Sequence, residues 1–255
     1  MSDGILAPRV REFLSRYRHV FLNFIWPVRC AVCNAEAESY FCAACKAKIA
    51  MPEERLRCPL CGKVMMLPEA VGGSVPELCG QCRKQRPAYD KARAAAAYAE
   101  PLSRLVTRYK YNNDTFHAGD FTDLMERCVR ECFAGDMFHT FCPVPLHSSR
   151  FRHRGYNQAD YLARGLARRF HLDHEPELLR RVRPTATQTR KGANERKANM
   201  AGAFVSPSGL RHRVYGRNIM LVDDVMTTGS TLDECAAALK ANGAVKVYAV
   251  ALCRR

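Results

Sequence analysis

The sequence predicts an α/β domain with a parallel sheet, preceded by a small metal-binding module. From about residue 93 onward, short apolar segments alternate with segments of helical periodicity, as in a parallel sheet covered by helices. One of these strands leads directly into two acids, a hydroxyl-rich loop and a helix. Before residue 83 the chain carries four Cys-x-x-Cys pairs instead. We therefore expect two different architectures in one chain.

The composition is that of a soluble globular protein. The chain has 255 residues, of which 47% are hydrophobic, and its mean hydropathy is −0.28. No apolar run approaches the roughly 20 residues of a membrane span. Arginines interrupt the apolar residues near the N-terminus, so a signal-peptide core is missing. These observations predict a cytoplasmic protein.

Positive charge is concentrated in one segment. The formal net charge is +15, and residues 147–217 contain 16 Lys and Arg against five Asp and Glu. A field of this sign attracts polyanions such as nucleic acid or pyrophosphate. A solvated basic surface is the alternative. We favour binding because the charge lies in the domain that also contains the hydroxyl-rich loop.

The predicted strands and helices alternate along the second part of the chain. Strands are expected at residues 94–98, 141–146, 219–222 and 245–252, and helices at residues 102–109, 121–129, 159–170 and 232–239. In parallel sheets, ligands bind at the carboxyl ends of the strands. Asp223 follows one such end, and it is the first candidate for a ligand-binding residue.

Residues 219–232 have the pattern of an anion site beside two carboxylates. Four apolar residues precede Asp223 and Asp224, and the run Thr-Thr-Gly-Ser-Thr follows at residues 227–231. Hydroxyls, together with unpaired N–H groups at a helix start, suit a phosphate. The carboxylates need hydroxyl donors or a cation, such as the two hydroxyls of a ribose. A P-loop and a dinucleotide fingerprint are disfavoured because their glycine patterns are missing.

The cysteine pairs predict zinc. They are Cys30/Cys33, Cys42/Cys45, Cys58/Cys61 and Cys79/Cys82. Each pair can offer two thiolates, and two pairs complete a tetrahedral sulfur shell suited to Zn²⁺. Sequential pairing predicts two consecutive zinc ribbons, and crossed pairing of the first pair with the third and the second with the fourth is the alternative. An iron–sulfur cluster and free core thiols are less favoured alternatives. Closed sulfur sites would be structural.

Cysteines outside the pairs and residues 1–27 call for separate predictions. Five further cysteines lie in apolar patterns, which predicts buried small side chains. These are Cys128, Cys132, Cys142, Cys235 and Cys253. Apolar residues between Val10 and Ile25 recur at helical spacing, and Pro27 ends the pattern. We expect an amphipathic helix at 1–27 that docks on the protein, with a membrane surface as the alternative.

Two further polar segments belong to the predicted site. After the strand at 141–146, His147 leads into Arg150, Arg152 and Arg154, whose guanidinium groups suit pyrophosphate. Gly155 would allow a tight turn there. A third polar segment, at residues 185–204, lacks apolar periodicity, which favours a mobile lid or flap.

The ordered motifs resemble a known family. The acid pair and hydroxyl loop are similar to the loop by which type I phosphoribosyltransferases bind phosphoribosyl pyrophosphate (PRPP). Pro-Val-Pro-Leu-His, Arg-Gly-Tyr-Asn-Gln, Thr-x-x-Gln and Arg-Lys-x-Asn precede that loop, as in the ComF family. Tyr109-Lys110-Tyr111 also fits. The resemblance implies a double zinc ribbon at 28–90 and a phosphoribosyltransferase-like domain at 91–255.

The resemblance also implies roles for residues. Asp223 and Asp224 would hold the ribose hydroxyls as the catalytic pair, and the residues after them would hold the 5′-phosphate. Those residues are Val225, Met226, Thr227, Thr228, Gly229, Ser230 and Thr231. The 145–154 loop, with Arg150, Arg152 and Arg154, would face pyrophosphate with Mg²⁺. Arg196 would reach over from the flap.

ComF-like proteins are associated with DNA uptake and natural transformation, so the resemblance implies single-stranded DNA and DNA-uptake or recombination proteins as partners. We expect salt-sensitive DNA binding through residues 147–217. Phe151 and Tyr156 are candidates for stacking on bases, whereas Tyr161 is expected in the helix core. A nucleobase-salvage transferase and a zinc-ribbon nucleic-acid-binding protein with a non-catalytic transferase fold are the alternatives. No general base is assigned, because a lone histidine such as His147 or His153 is more often a surface or core residue.

Overall fold

A computed structural model describes residues 28–49, 51–65, 78–111, 117–183 and 202–255. The predicted helix at 1–27 and most of the predicted flap, including Arg196, lie outside the described residues. Packing divides the chain into two compact units, the first ending at Lys48 and the second beginning at Ile49. The division at residues 48 and 49 lies between the second and third cysteine pairs. The domain boundary expected near residue 90 therefore stays a prediction.

The first unit contains the first two cysteine pairs. Its described part has one short helix, α1 (Ala43–Lys46), and an antiparallel bridge between Arg29 and Glu36. Cys42 caps α1, since its side chain accepts a hydrogen bond from the Cys45 N–H.

The second unit is built on a five-stranded sheet in which every pairing is parallel. The strand order is β1-β7-β6-β2-β3. Its strands are β1 (Lys91–Ala97), β2 (Thr140–Pro143), β3 (Asp173–His174), β6 (Asn218–Met226) and β7 (Lys246–Arg254). A separate antiparallel pair is formed by β4 (Arg180–Arg181) and β5 (Phe204–Val205). The predicted parallel α/β fold is confirmed.

Helices cover both faces of this sheet. The helices in the described part of this unit are α2 (Gly80–Lys84), α3 (Leu102–Tyr111), α4 (Ala118–Cys132), α5 (Ser148–Arg154), α6 (Gln158–Phe170), α7 (Arg211–Val214) and α8 (Ser230–Ala241), with 3₁₀ turns at Glu54–Leu56 and Ser208–Leu210. Helices α4 and α6 pack together on one face, and α8 packs on β6 and β7 from the other. The residues around the last two cysteine pairs share the core on the α8 side.

β6 continues further than the sequence predicts. The apolar residues 219–222 are completely buried, but the strand extends through both carboxylates to Met226. The extension occurs because β7 pairs with it up to Met226 and Arg254, and backbone hydrogen bonds do not depend on side-chain polarity. Asp223 and Asp224 therefore lie on a rigid strand and not on a loop.

Two other predictions can be checked here. The five cysteines outside the pairs are all buried, as predicted. None of the helices in the described ranges is both long and apolar enough to cross a membrane.

Candidate functional site

The site is centred on the two carboxylates of β6. The backbone N–H of Asp224 donates to Asp223 Oδ1 at 2.8 Å, which orients that carboxylate. Asp224 Oδ1 lies 3.0 Å from Lys110 Nζ, which reaches it from the last turn of α3. Because neighbouring strand residues point to opposite sides, the two carboxylates have different surroundings. Asp224 is ion-paired with Lys110, whereas the negative charge of Asp223 is less compensated.

The electrostatics of the pair follow from this difference. Burial, together with the neighbouring Asp224 charge, raises the pKa of Asp223 to about 7. Burial opposes the charge on Lys110, but the Asp224 carboxylate outweighs burial and raises the pKa of Lys110 above its ordinary value. Asp223 is therefore partly protonated near neutral pH, while Lys110 stays charged. A ligand that offers hydroxyl donors or a cation would stabilise the ionised form of Asp223.

The hydroxyl-rich loop forms a cradle between β6 and α8. Gly229 has φ +84°, and a Cβ there would lie 2.8 Å from Met226 Cε and 3.0 Å from Tyr89 Oη. Only glycine suits such a turn. Thr228 Oγ1 lies 2.8 Å from Ser230 Oγ and accepts the Ser230 N–H at 3.4 Å. The first-turn N–H groups of α8, which have no carbonyl partner one turn earlier in the helix, follow immediately, so hydroxyls and amides lie together as a phosphate requires.

The arginine loop begins at the neighbouring strand. The Val144 N–H donates to Val222 O at 2.9 Å, so the segment after β2 leaves the sheet next to the part of β6 that carries Asp223 and Asp224. His147 caps α5 by accepting the Ser149 N–H, and Gly155, at φ +76°, ends it. The tight turn predicted at Gly155 is confirmed. His147 acts as the N-cap of this helix, and no catalytic partner for it is found among the described residues.

The predicted site arginines differ in their placement. Arg152 is exposed, whereas Arg154 Nη1 donates to Gln158 Oε1 at 3.2 Å. The side chains of Arg150 and His153, and all of Arg196, lie outside the described residues. The structure thus brings the carboxylates, the hydroxyl cradle and the 147–154 segment to one edge of the sheet. The role expected for the flap stays a prediction.

Two sequence motifs interlock beside the site. Tyr109 is completely buried, and its hydroxyl donates to Gln158 O at 2.9 Å. The Tyr156 hydroxyl donates to Tyr109 O, and Gln158 Nε2 donates to Lys110 O at 3.3 Å. Asn157 Nδ2 donates to Val144 O at 3.0 Å, which ties the start of α6 to the end of β2. These bonds hold the end of α3, and with it Lys110, against the carboxylates.

The aromatic predictions are partly wrong. Tyr161 was expected in the helix core, but it is 43% exposed, because α6 turns its leucines toward the sheet. Tyr156 is buried, and its hydroxyl is used within the fold, so it is not available for stacking. Phe151 is 49% exposed and remains a candidate for stacking.

Lys110 is the site residue that sequence reasoning did not assign. Its contact with Asp224 joins residues 114 positions apart, and no local pattern reveals such a pair. The available signal was the Tyr-Lys-Tyr motif at the end of an amphipathic helix, where a lysine lies between two aromatic residues.

The cysteine pairs form two separate four-sulfur groups. Cys30, Cys33, Cys42 and Cys45 form one, and Cys58, Cys61, Cys79 and Cys82 form the other. Within each group all the sulfurs lie within 4.8 Å of one another. The pairing is therefore sequential, and crossed pairing is excluded. Cys33 Sγ lies 3.7 Å from Cys42 Sγ, and Cys61 Sγ lies 3.7 Å from Cys79 Sγ. A zinc tetrahedron with bonds of about 2.3 Å needs sulfurs about 3.8 Å apart, so both groups fit structural Zn²⁺.

Backbone amides support the thiolate form. The Cys42 N–H points to Cys30 Sγ at 3.5 Å, and the Cys79 N–H points to Cys58 Sγ at 3.4 Å. Burial raises the pKa of both thiols, but the surrounding N–H groups outweigh it and lower the pKa to about 6 for Cys30 and about 7 for Cys58. Thiolates are the form that a metal binds.

The second sulfur group is attached to the edge of the sheet. The Ala92 N–H donates to Leu60 O at 2.7 Å, so the segment between Cys58 and Cys61 pairs with the outer side of β1. Arg93 Nε donates to Glu54 Oε1 at 2.7 Å, and Arg254 Nη1 donates to Cys61 O. A metal at this group would stabilise the same body that contains the carboxylates.

Comparison with known proteins agrees with this architecture. Residues 21–83 match the double zinc ribbon domain, and residues 158–255 match the phosphoribosyl transferase domain. The protein is thus of the class that joins a double zinc ribbon to a phosphoribosyltransferase-type sheet.

Curated relatives narrow this class to one family. The chain is 32% identical to Competence protein F of Haemophilus influenzae over 92% of this chain and 98% of that protein. It is 35% identical to the DNA utilization protein YhgH of Escherichia coli over 84% and 89%, respectively. It is 26% identical to Competence protein ComFC of Bacillus subtilis over 79% and 78%. The chain belongs to the ComF family.

Proposed function

We propose that this protein binds PRPP at the carboxyl edge of its sheet and takes part in the uptake and use of DNA, acting on or beside single strands. The observation that carries the PRPP proposal is the acid pair of β6 followed directly by the hydroxyl cradle of α8. The association with DNA is supported by the relatives, whose names are Competence protein F and DNA utilization protein YhgH.

The proposed binding mode follows from the chemistry of each group. Asp223 and Asp224 would accept hydrogen bonds from the two ribose hydroxyls of PRPP. The cradle at residues 227–231 would donate hydroxyls and backbone N–H groups to the 5′-phosphate. Pyrophosphate, carried with Mg²⁺ as part of the substrate, would lie toward the arginines of α5, since Arg suits its paired oxygens.

Transfer chemistry is compatible with this arrangement. In a phosphoribosyl transfer, a nucleophile attacks the anomeric carbon of the ribose and the bond to pyrophosphate breaks. Positive charge develops on the sugar, and the carboxylates of β6 would stabilise it. Lys110, paired with Asp224 at 3.0 Å, would hold that carboxylate in place. A screen of candidate nucleophiles would identify the acceptor of the phosphoribosyl group.

The proposed contact with DNA uses the basic segment 147–217. Its four described carboxylates are held in ion pairs: Asp173 with Arg217 at 2.7 Å, Asp160 with Arg164 at 3.3 Å, and Glu175 and Glu177 with Arg213, the latter at 4.0 Å. Because those acids are already neutralised locally, the excess of arginine in the segment is available to phosphates. Salt should weaken such binding strongly.

Calorimetry with PRPP and Mg²⁺ tests the site. We expect the wild-type protein to bind and the Asp223→Asn/Asp224→Asn variant to lose at least tenfold in affinity, because amides replace both ribose-binding carboxylates with little change in shape. Asp123→Asn is the control, since Asp123 is an exposed residue of α4, paired with Arg169 at 2.5 Å, and takes no part in the proposed site. No binding by zinc-loaded, folded wild type would overturn the PRPP proposal and leave a DNA-binding protein with a non-catalytic fold.

A further inference from the structure

A cavity adjoins the hydroxyl cradle at residues 227–228. It has a volume of about 390 Å³ and is lined by residues that flank the second cysteine group, by β1 and by the end of β7. Neither Asp223 nor Asp224 is among the described residues that line it. The lining residues used below are Arg57, Lys63, Arg254, Arg255, Thr227 and Thr228. All of them belong to the second compact unit.

The charged side chains of the lining are all cationic. Two arginines and a lysine accompany Arg57, and no Asp or Glu side chain occurs among the described lining residues. Arg57 Nε lies 4.0 Å from Glu54 Oε2, but Glu54 is shared with the Arg93 guanidinium, whose Nε lies 2.7 Å from Oε1. Arg254 borders the second sulfur group through Cys61 O. The excess positive charge of the lining therefore rests mainly with Lys63 and Arg255, and an anion would relieve it.

Arg57 supplies the buried donor that marks a built site. Only 1% of its side-chain surface is exposed. Nη1 donates to Ala94 O at 3.2 Å and Nη2 to Pro52 O at 2.6 Å, which holds the guanidinium in place. Nε is buried and has no hydrogen-bond partner in the described part of the chain. An unsatisfied charged donor is costly in a fold, so a ligand oxygen at this position would recover that cost.

The remainder of the lining suits an attached sugar or base. Ala94, Ala96 and Ala97 of β1 form a small apolar wall, and Thr227 and Thr228 add hydroxyls. A volume of about 390 Å³ falls in the usual range for small-ligand sites, which starts near 300 Å³. A cationic end beside an apolar wall matches a nucleotide better than it matches inorganic phosphate alone.

We propose that this cavity binds the phosphate of a nucleotide, either free or within a DNA strand, as a site distinct from the PRPP site. Thr227 and Thr228 belong to the cradle and also line this cavity, so the two sites would adjoin at these residues. The proposal does not depend on PRPP binding, because the carboxylates of β6 take no part in it.

Two probes distinguish the sources of the phosphate. One is dAMP, and the other is a fluorescent oligothymidylate of about eight nucleotides. Lys63→Gln/Arg255→Gln removes two exposed lining charges with little effect on the fold. Lys246→Gln/Arg127→Gln is the charge-matched control, because both residues are exposed and absent from the described lining. Thermal unfolding and zinc content verify that each variant is folded.

We expect the cavity variant to lose at least tenfold in affinity for one or both probes, while the control variant stays near wild type. Loss for the oligonucleotide alone assigns the phosphate to a DNA strand, and loss for dAMP as well assigns it to a free nucleotide. For the oligonucleotide, the salt dependence should fall by about 0.7 per lost contact. Arg57→Lys, which keeps the charge but removes Nε, should also weaken binding in folded protein.

Two results would overturn the proposal. One is unchanged affinity for both probes in the cavity variant. The other is a parallel loss of PRPP affinity in that variant, which would make the cavity part of the PRPP site. The Asp223→Asn/Asp224→Asn variant separates the two proposals, since it should lose PRPP and retain both probes. Failure of wild type to bind PRPP would leave the test of the cavity intact.

Discussion

At the scale of single residues, Asp223 shows how position determines chemistry. A carboxyl group beside a second carboxyl, in a partly buried strand, resists ionisation until a cation or hydroxyl donors approach. Lys110 compensates Asp224 directly at 3.0 Å, which leaves Asp223 with the raised pKa. The proposed ligand would supply the missing compensation.

The titration of Asp223 predicts pH-dependent PRPP binding. If the ionised form binds the ribose hydroxyls, affinity should rise about tenfold between pH 6 and pH 8, as the group with a pKa of about 7 ionises. Calorimetry across this range measures the rise. PRPP phosphates titrate nearby, so Asp223→Asn is the necessary control. Its profile should be flatter than that of wild type, and equal slopes would contradict the role of Asp223.

The same pKa has the opposite consequence for stability. Because the pKa is raised in the folded state, protonated Asp223 contributes stability that is lost as the pH rises through about 7. Asp223→Asn should therefore raise Tm more at pH 8 than at pH 5. The Asn side-chain oxygen can still accept the Asp224 N–H, so the local geometry is retained.

At the scale of elements, α4 and α6 form a close helix pair that covers the sheet on one face. Gly165 of α6 faces Thr122 of α4, and a Cβ at Gly165 would lie 2.7 Å from Thr122 Oγ1 and 2.9 Å from Cγ2. Thr122 cannot easily turn away, because its hydroxyl donates to Ala118 O at 2.6 Å. The close approach of the two helices thus depends on this glycine.

Gly165→Ala should therefore destabilise the protein, although alanine is the better helix former. Overpacking of this kind costs about 1–3 kcal/mol, which exceeds the gain of about 1 kcal/mol from helix propensity. Chemical denaturation measures the change. Gly119→Ala in α4 is the control, since no atom lies within 4 Å of the added Cβ, and it should be neutral or stabilising. Similar effects of the two substitutions would contradict the packing argument.

At the scale of the whole molecule, the two sulfur groups have different relations to the proposed PRPP site. The second group belongs to the compact unit that carries the site, and it pairs with the edge of β1. Tyr89, between that group and β1, lies against Gly229 of the cradle. The first group belongs to the other compact unit. Zinc at the second group should thus support ligand binding in a way that zinc at the first does not.

Cys82→Ser should release one zinc, lower Tm and lose most PRPP affinity, because a structural zinc contributes about 10 kcal/mol or more to the order of its surroundings. Cys33→Ser, in the first group, should also release zinc but retain PRPP binding. Metal analysis, thermal unfolding and calorimetry on both variants measure these effects. Equal losses of PRPP affinity would show that the two groups do not differ in this respect.

Much of the fold and part of the site were predictable, for local reasons. The four main strands and their helices were recognised because each has its own hydrophobic period. Strands β3, β4 and β5 have two residues each, which is too few to show a hydrophobic period. They form only where another strand of the protein supplies hydrogen bonds. The sequence placed the end of β6 too early, because the polar side chains of Asp223 and Asp224 suggested a loop and the pairing of β6 with β7 could not be seen.

The sequence by itself determined the acid pair, the hydroxyl cradle and the eight paired cysteines, since each motif is complete within a few consecutive residues. Tertiary structure decided which cysteines form a common metal site, and it brought Lys110 to Asp224 and Arg57 to the cavity that adjoins the cradle. Those contacts join residues far apart in the chain, and their geometry depends on packing around the whole sheet. Local chemistry is encoded in short motifs, whereas compensation of buried charge depends on long-range folding.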